Sequence, residues 1–246
     1  MRLIIITADK LLAGEGDAIN LLFENGMETL HIRKPKVMAE GIEALLNDID
    51  EKFHPCIVLH DHYELTNRYN LKGIHLNSRN PVAPTQFGFD DSRTISRSCH
   101  TIKEVTDVIG ADNSDVIGTV ASDAIGAADS DAIVDSDAIG TADSRSVALS
   151  YVFLSPVFDS ISKVGYRQGF TSEELLSYRM QGFINKRVIA LGGIYAGNIS
   201  EIRRYGFGGV AVLGALWEGY IKDRDREKLL ERFRLLQDKC TEITAR

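Results

Sequence analysis

The stretch "RVIALGGIYAGNISEIRRYGFGGVAVLGAL", Arg187 to Leu216, reads as strand, turn, helix, strand, turn. Its apolar runs at 187–191 and 209–213 have the length of buried strands, and each stops at glycine. Residues 196–205 between them read as a helix. A helical crossover of this kind joins parallel strands. Working outward, the same alternation recurs along the chain. Strands are expected at 2–7, 29–33, 56–60, 73–76, 94–98 and 151–155, and helices at 14–25, 38–53, 171–182 and 225–240. The segment "NSRNPVAPTQFGFDDS", 77–92, offers at most a short helical turn. Eight β units alternating with helices predict an α/β protein with a parallel sheet, and eight is the number that closes a (β/α)₈ TIM barrel. An open doubly wound sheet is the alternative. The loop after the first strand has no G-x-G-x-x-G, which argues against it.

The length of 246 residues, 44% hydrophobic and 26% charged, suits a single domain spanning 1–246. No apolar run reaches the roughly 18 residues of a membrane span. "MRLIIITADK" reads as a first strand rather than a signal segment. Cys56, Cys99 and Cys240 are odd in number and scattered, so a reduced cytoplasmic protein is expected. The net charge of −7 comes from one place: residues 111–143 hold eight Asp and no Glu, Lys or Arg. The remaining chain is close to neutral. It has no broad basic face, so neither nucleic acid nor membrane is an expected partner.

Those acidic residues form an Asp-rich repeat insertion between the fifth helix and the sixth strand. Ser-Asp-(Val/Ala)-Ile recurs at 114, 122, 130 and 136. Each unit has too little apolar bulk to bury a core, so a low-complexity insertion is expected. A small β-solenoid or calcium-binding array is the sharper alternative. The units lack G-G-x-G-x-D, and the final spacing breaks the period. In a barrel, a helix-to-strand connection lies on the face away from the chemistry.

The strand ends carry the candidate site. "LHIRKPK", 30–36, ends a strand in His31, Arg33, Lys34 and Lys36. Alternation puts His31 and Arg33 on one face. A structural ion pair of Arg33 with Asp61 competes with a substrate role. Strand three ends in His60, Asp61 and His62, strand four in His75, Asn77 and Asn80, and strand five in Ser98 and His100. "FDSISKVGY", 158–166, offers Ser160, Ser162 and Lys163 to phosphate oxygens. The turns at Gly193 and at Leu213-Gly214 follow the last two strands, where barrels often hold phosphate. His60-Asp61-His62 would also suit zinc, but the later strands end in Gly and Ser rather than further ligands. A hard ion, Mg²⁺ on Asp61 beside a diphosphate, fits better. Small phosphorylated molecules are the expected ligands.

The series "LHIRKP", "VLHDHYELTNRYNLKGIHLNSRN", "ISRSCH", "YVFLSPVFDSISKVGY", "VIALGGI" and "GGVAVLGAL" resembles the thiamine phosphate synthase/TenI family over nearly the whole chain outside the insertion. The resemblance implies a TIM barrel that joins hydroxymethylpyrimidine diphosphate to thiazole phosphate and releases pyrophosphate. It implies His31, His60, Ser160, Ser162, Gly193, Leu213 and Gly214 as substrate-binding residues, and Arg33, Ser98 and Lys163 as catalytic ones; His75, from its strand end, joins the substrate-binding group and Lys34, as a neighbouring cation, the catalytic one. It also implies Asp61 as a Mg²⁺ ligand, and a homodimer. There are departures. His31 stands for a Gln and His60 for an Asn. Pro35 stands for the usual diphosphate-binding Lys, leaving Lys34 or Lys36 to substitute, and Asn80 stands for a second metal carboxylate. "HIR" is similar to the TenI branch, whose thiazole tautomerases use a His where this chain has Pro156. That isomerase, or a non-catalytic thiamine phosphate-binding protein, is the alternative.

Overall fold

A computed structural model describes residues 1–84, 93–110, 149–159 and 169–242. Eight strands form one closed parallel barrel in sequence order, β1-β2-β3-β4-β5-β6-β7-β8. They are β1 (Arg2–Ile6), β2 (Leu30–Ile32), β3 (Ile57–Leu59), β4 (Gly73–Leu76), β5 (Thr94–Cys99), β6 (Tyr151–Leu154), β7 (Val188–Leu191) and β8 (Gly209–Val212). The barrel shuts where Leu3 pairs with Val210 and Ile5 with Val212. The helices are α1 (Glu15–Glu24), α2 (Ala39–Asp48), α3 (Leu65–Arg68), α4 (Ile102–Ile109), α5 (Ser172–Met180), α6 (Ile199–Arg204), α7 (Gly214–Asp223) and α8 (Arg226–Thr241). No helix among the described residues is long and apolar enough to cross a membrane.

Strand alternation sorts the core into two clusters. Ile5, Leu30, Ile32, Leu59, Ile74, Val152 and Val212 pack outward against helix residues such as Leu22, Leu46 and Trp217. Ile4, Ile6, Tyr151, Phe153, Ile189 and Ala211 form a separate cluster drawn from strands alone, which is the barrel interior. The outer layer is tied by polar contacts as well as area. The fully buried Trp217 donates its indole N–H to the Ile6 carbonyl at 2.9 Å, fastening α7 to β1. Helix starts follow local chemistry. Thr171 and Glu174 form a reciprocal capping box on α5, and the Asp225 side chain accepts from the Lys228 N–H at the start of α8.

Two helical expectations are revised. The stretch 38–53 is not one helix. α2 stops at Asp48, Ile49 and Asp50 are extended, and a short 3₁₀ helix runs Glu51–Cys56. The break falls at Ile49 and Asp50, and Pro55, which lacks an N–H, keeps the last stretch before β3 from returning to α-helix. In addition, α7 directly follows β8, with Leu216, Trp217 and Tyr220 forming its buried face. The two readings of the Asp-rich repeat, disordered insertion or ordered array, fall outside the described residues. What the fold fixes is its point of attachment, after α4 and before β6, on the face opposite the strand C-termini.

Candidate active site

The C-terminal halves of β2, β3 and β4 bring three imidazoles into the barrel. His31, His60 and His75 are 0%, 4% and 0% exposed. Their positions follow from alternation and register. His31 pairs beside Val58, two residues before His60, and His75 pairs beside Ser96. His31 Nδ1 lies 2.9 Å from His60 Nε2, and His31 Nε2 lies 2.6 Å from the Tyr151 hydroxyl. His60 and His75 stack with ring centroids 4.2 Å apart, and Phe153 lies against both His31 and His75. The ring nitrogens of His75 meet Ser96 Oγ and Ser98 Oγ, each at 2.8 Å. Burial holds His31 and His60 well below the usual histidine range, and the neighbouring imidazoles push the same way. His75 is lowered to about 3 by burial and then by the positive charge of Arg33. All three are therefore neutral at physiological pH.

Charge gathers at the rim above them. Asp61 accepts from Arg79 Nη2 at 3.1 Å and Nε at 3.2 Å, and from the Asn80 amide at 2.9 Å. The competing structural reading of Arg33 named Asp61 as its partner, but the guanidinium on Asp61 is that of Arg79. Both carboxylate oxygens already accept from donors, and the adjacent amide is presented as a donor as well. A Mg²⁺ ion, which keeps several waters and takes one or two carboxylate oxygens, would have to compete with Arg79 and Asn80 for Asp61. Asn77 and Asn80 both donate to the His60 carbonyl, tying the loop after β4 to the end of β3.

Lys34 is corrected. Its ammonium lies in the barrel wall, not at the mouth, bonded to Glu15 at 2.6 Å, to the Lys10 carbonyl at 2.8 Å and to the Ala8 carbonyl at 2.9 Å. Lys34 is 1% exposed and Glu15 2%. If His31 and Arg33 face inward, alternation turns Lys34 outward to meet α1. Its three N–H donors are all engaged, so none remains for a diphosphate. Lys36 is exposed.

Gly193 has φ +65°, and a Cβ there would lie 2.3 Å from the Asp159 carbonyl. Glycine is needed because the loop after β6 presses on this turn. That packing explains Gly193 whether or not a phosphate sits there. Leu213 and Gly214 begin α7, whose N-terminus points to the same mouth. Ser160, Ser162 and Lys163 fall outside the described residues, but the chain enters that segment from Asp159, beside Gly193. His62 and His100 are not part of the interior group: their rings bond the Val37 and Ser155 carbonyls. Sequence reasoning missed Arg79 and Tyr151. The signal for Arg79 was "NSRN", which follows a strand directly and holds a cation. Tyr151 sits at an inward position of a strand already identified.

Comparison with known proteins adds the relatives. No family model and no curated protein matches the chain. A solved thiamine phosphate pyrophosphorylase from Bacteroides thetaiotaomicron is 33% identical, with a TM-score of 0.72, covering 98% of each chain. A thiamine phosphate pyrophosphorylase from Pyrococcus furiosus aligns over 97% of this chain and 96% of its own, at 15% identity and a TM-score of 0.61. A 3-hexulose-6-phosphate synthase aligns over 96% of this chain and 97% of its own, at 12% identity and a TM-score of 0.52. The last two likenesses speak for the fold alone.

Proposed function

The chain belongs to the thiamine phosphate pyrophosphorylase family, and from that premise we propose that it serves thiamine biosynthesis as a transferase, joining hydroxymethylpyrimidine diphosphate to thiazole phosphate with release of pyrophosphate. The observation that supports this reading is the contrast between floor and rim at one mouth. The floor is aromatic and dry, made of Phe153 and neutral imidazoles. The rim is charged, with Arg79 on Asp61 and Arg33 close enough to lower His60 and His75. Such a site suits a flat heteroaromatic group carrying an anionic tail.

In this reaction the carbon–oxygen bond to the diphosphate breaks, and the leaving group takes the electron pair. The thiazole nitrogen then bonds to the pyrimidine cation. Guanidinium groups held in place before reaction stabilise the charge that grows on the leaving oxygens. Arg33 and Arg79 take that role, with Lys163 and Ser98 completing it. The buried floor keeps water from the cation, since His31, His75 and Phe153 are each 0% exposed. Thiazole phosphate binds at Gly193 and the Leu213-Gly214 turn, and the family resemblance adds Ser160 and Ser162 as hydroxyl donors to it. Pro156 gives no base for tautomerase chemistry.

The test is to incubate the purified chain with both substrates, with and without Mg²⁺, and to measure thiamine phosphate. Turnover that falls sharply in Arg33→Ala is expected. Tight binding of thiamine phosphate without turnover would replace the synthase with a binding role.

A further inference from the structure

A ring nitrogen sealed inside a barrel is costly unless something bonds it. His31 engages both of its nitrogens within the interior. Nε2 lies 2.6 Å from the Tyr151 hydroxyl, and Nδ1 lies 2.9 Å from His60 Nε2. His75 engages both of its own with Ser96 and Ser98. His60 Nδ1 is different. It has no hydrogen-bond partner among the described residues, yet it is not one of the side-chain atoms sealed without a partner. His60 stands just beyond β3, at the mouth, so this nitrogen is the one the group leaves for a ligand.

A neutral imidazole has one N–H and one bare nitrogen. In a series of neutral rings, the first donor therefore fixes every proton after it. Burial keeps His31 and His60 neutral. It also pushes the Tyr151 phenol up, so the phenol retains a proton to donate. The contact of 2.6 Å is shorter than N–H···O bonds usually are and falls within the range of hydroxyl donors. Tyr151 is thus the donor and His31 Nε2 the acceptor. Arg2 reinforces that sense from below, with its guanidinium 5.2 Å from the centre of the Tyr151 ring. With Nε2 accepting, His31 carries its proton on Nδ1 and gives that bond to His60 Nε2. His60 then carries its own proton on Nδ1.

We propose that Tyr151 is a positioning residue that acts through His31 to hold the His60 proton on Nδ1, so that the mouth presents a neutral N–H donor to a bare ring nitrogen of a heteroaromatic ligand. The surroundings favour an acceptor at this point. Arg33 and Arg79 both bear on His60 with positive charge, and a second donor from a ligand would meet only more donors. The flat floor of Phe153 and the stacked His60 and His75 rings suits a planar group. That the acceptor belongs to the pyrimidine of the diphosphate substrate rests on the reading above. The proton positions do not.

The experiment uses the full chain with ¹⁵N-labelled histidine. Long-range ¹H–¹⁵N correlation at pH 7 distinguishes a ring protonated on Nδ1 from one protonated on Nε2. His31 and His60 should both carry the proton on Nδ1. A proton on His60 Nε2 in the unmodified chain overturns the proposal, whether or not any variant folds. Tyr151→Phe removes the first donor, and His60 should then populate both tautomers. His31→Gln should keep the His60 proton on Nδ1, because its amide can accept from Tyr151 through oxygen and donate to His60 through nitrogen. 4-Aminopyrimidine and aniline, which lacks ring nitrogen, serve as probes, with binding read from the His60 signals. The ratio of their affinities should fall about threefold or more in Tyr151→Phe, as for one lost hydrogen bond, and hold in His31→Gln. A tautomer and ratio unchanged in folded Tyr151→Phe overturn the proposal, as does loss of the Nδ1 proton in folded His31→Gln. Absence of thiamine phosphate formation would leave these spectra as they are and count against the synthase reading alone.

Discussion

Replacing Lys34 by Met separates a structural lysine from a substrate-binding one. The change deletes the ammonium and its bonds to Glu15 and to the carbonyls of Ala8 and Lys10, but keeps most of the side-chain volume. It leaves the Glu15 carboxylate 2% exposed without its counter-charge. Removing one partner of a buried pair typically destabilises by about 3–5 kcal/mol. Domains of this kind have only about 5–15 kcal/mol in total. The pair is itself under tension. Burial raises the Glu15 carboxyl and lowers the Lys34 ammonium, and in each case the partner's charge only partly opposes it. The double change Lys34→Met with Glu15→Gln should therefore recover most of the loss. A Gln oxygen can still accept from the Leu12 N–H, which Glu15 Oε2 now does at 3.0 Å. The sign with pH also follows. In Lys34→Met the folded-state Glu15 binds a proton more readily than the unfolded one, so the deficit should shrink as pH falls toward the carboxylate range. Urea unfolding of the three proteins from pH 7 to pH 5, with pyrophosphate titrations at pH 7, measures all of this. A stability loss below about 1 kcal/mol together with a large fall in pyrophosphate affinity would return Lys34 to the site and refute the reasoning.

Arg79→Ala should weaken pyrophosphate binding by about 1–3 kcal/mol, as for a lost charge-assisted contact. It should move stability little, because the Arg79 side chain is 40% exposed; calorimetry and thermal melting distinguish the two effects. Deleting 111–143 should leave melting temperature and phosphate affinity nearly unchanged, since the segment joins the barrel on the face away from the mouth, and a large loss of either would give it a structural or binding role. Cys99 and Cys240 are pushed up by burial, to about 12 and about 11. A thiol reagent at pH 8 should therefore label the half-buried Cys56 first; rapid labelling of Cys99, read by mass spectrometry, would contradict that protection.

The barrel was legible because its evidence is local. Short runs such as "RVIAL" and "GVAVL" end in glycine and alternate with helices, and eight of them can close. The imidazole group was only half legible. Alternation turned His31 inward, but nothing local says that His31, His60 and His75 meet, since that depends on the register of three strands. Lys34 was misread because it was grouped with its cationic neighbours, and the two-residue period that turned Arg33 inward should have turned Lys34 outward. Arg79 was missed because its role depends on a loop folding back over β3, and no spacing in "HDHYELTNRYNLKGIHLNSRN" encodes that contact.

The chain has one tryptophan, and its place on α7 gives the molecule an internal optical reporter. Trp217 is 0% exposed, bonded to the Ile6 carbonyl, and lies three residues beyond Gly214. Its indole spans the seam between the first strand and the helix after the last, so its emission reports whether that seam is closed. Native protein should emit at the short wavelength of a shielded indole and shift to the red when β1 and α7 part. An anion settling at the Gly214 turn would act on the same helix from its exposed end. Unfolding and phosphate binding can thus be followed in the unlabelled chain, each as a change in a single spectral band.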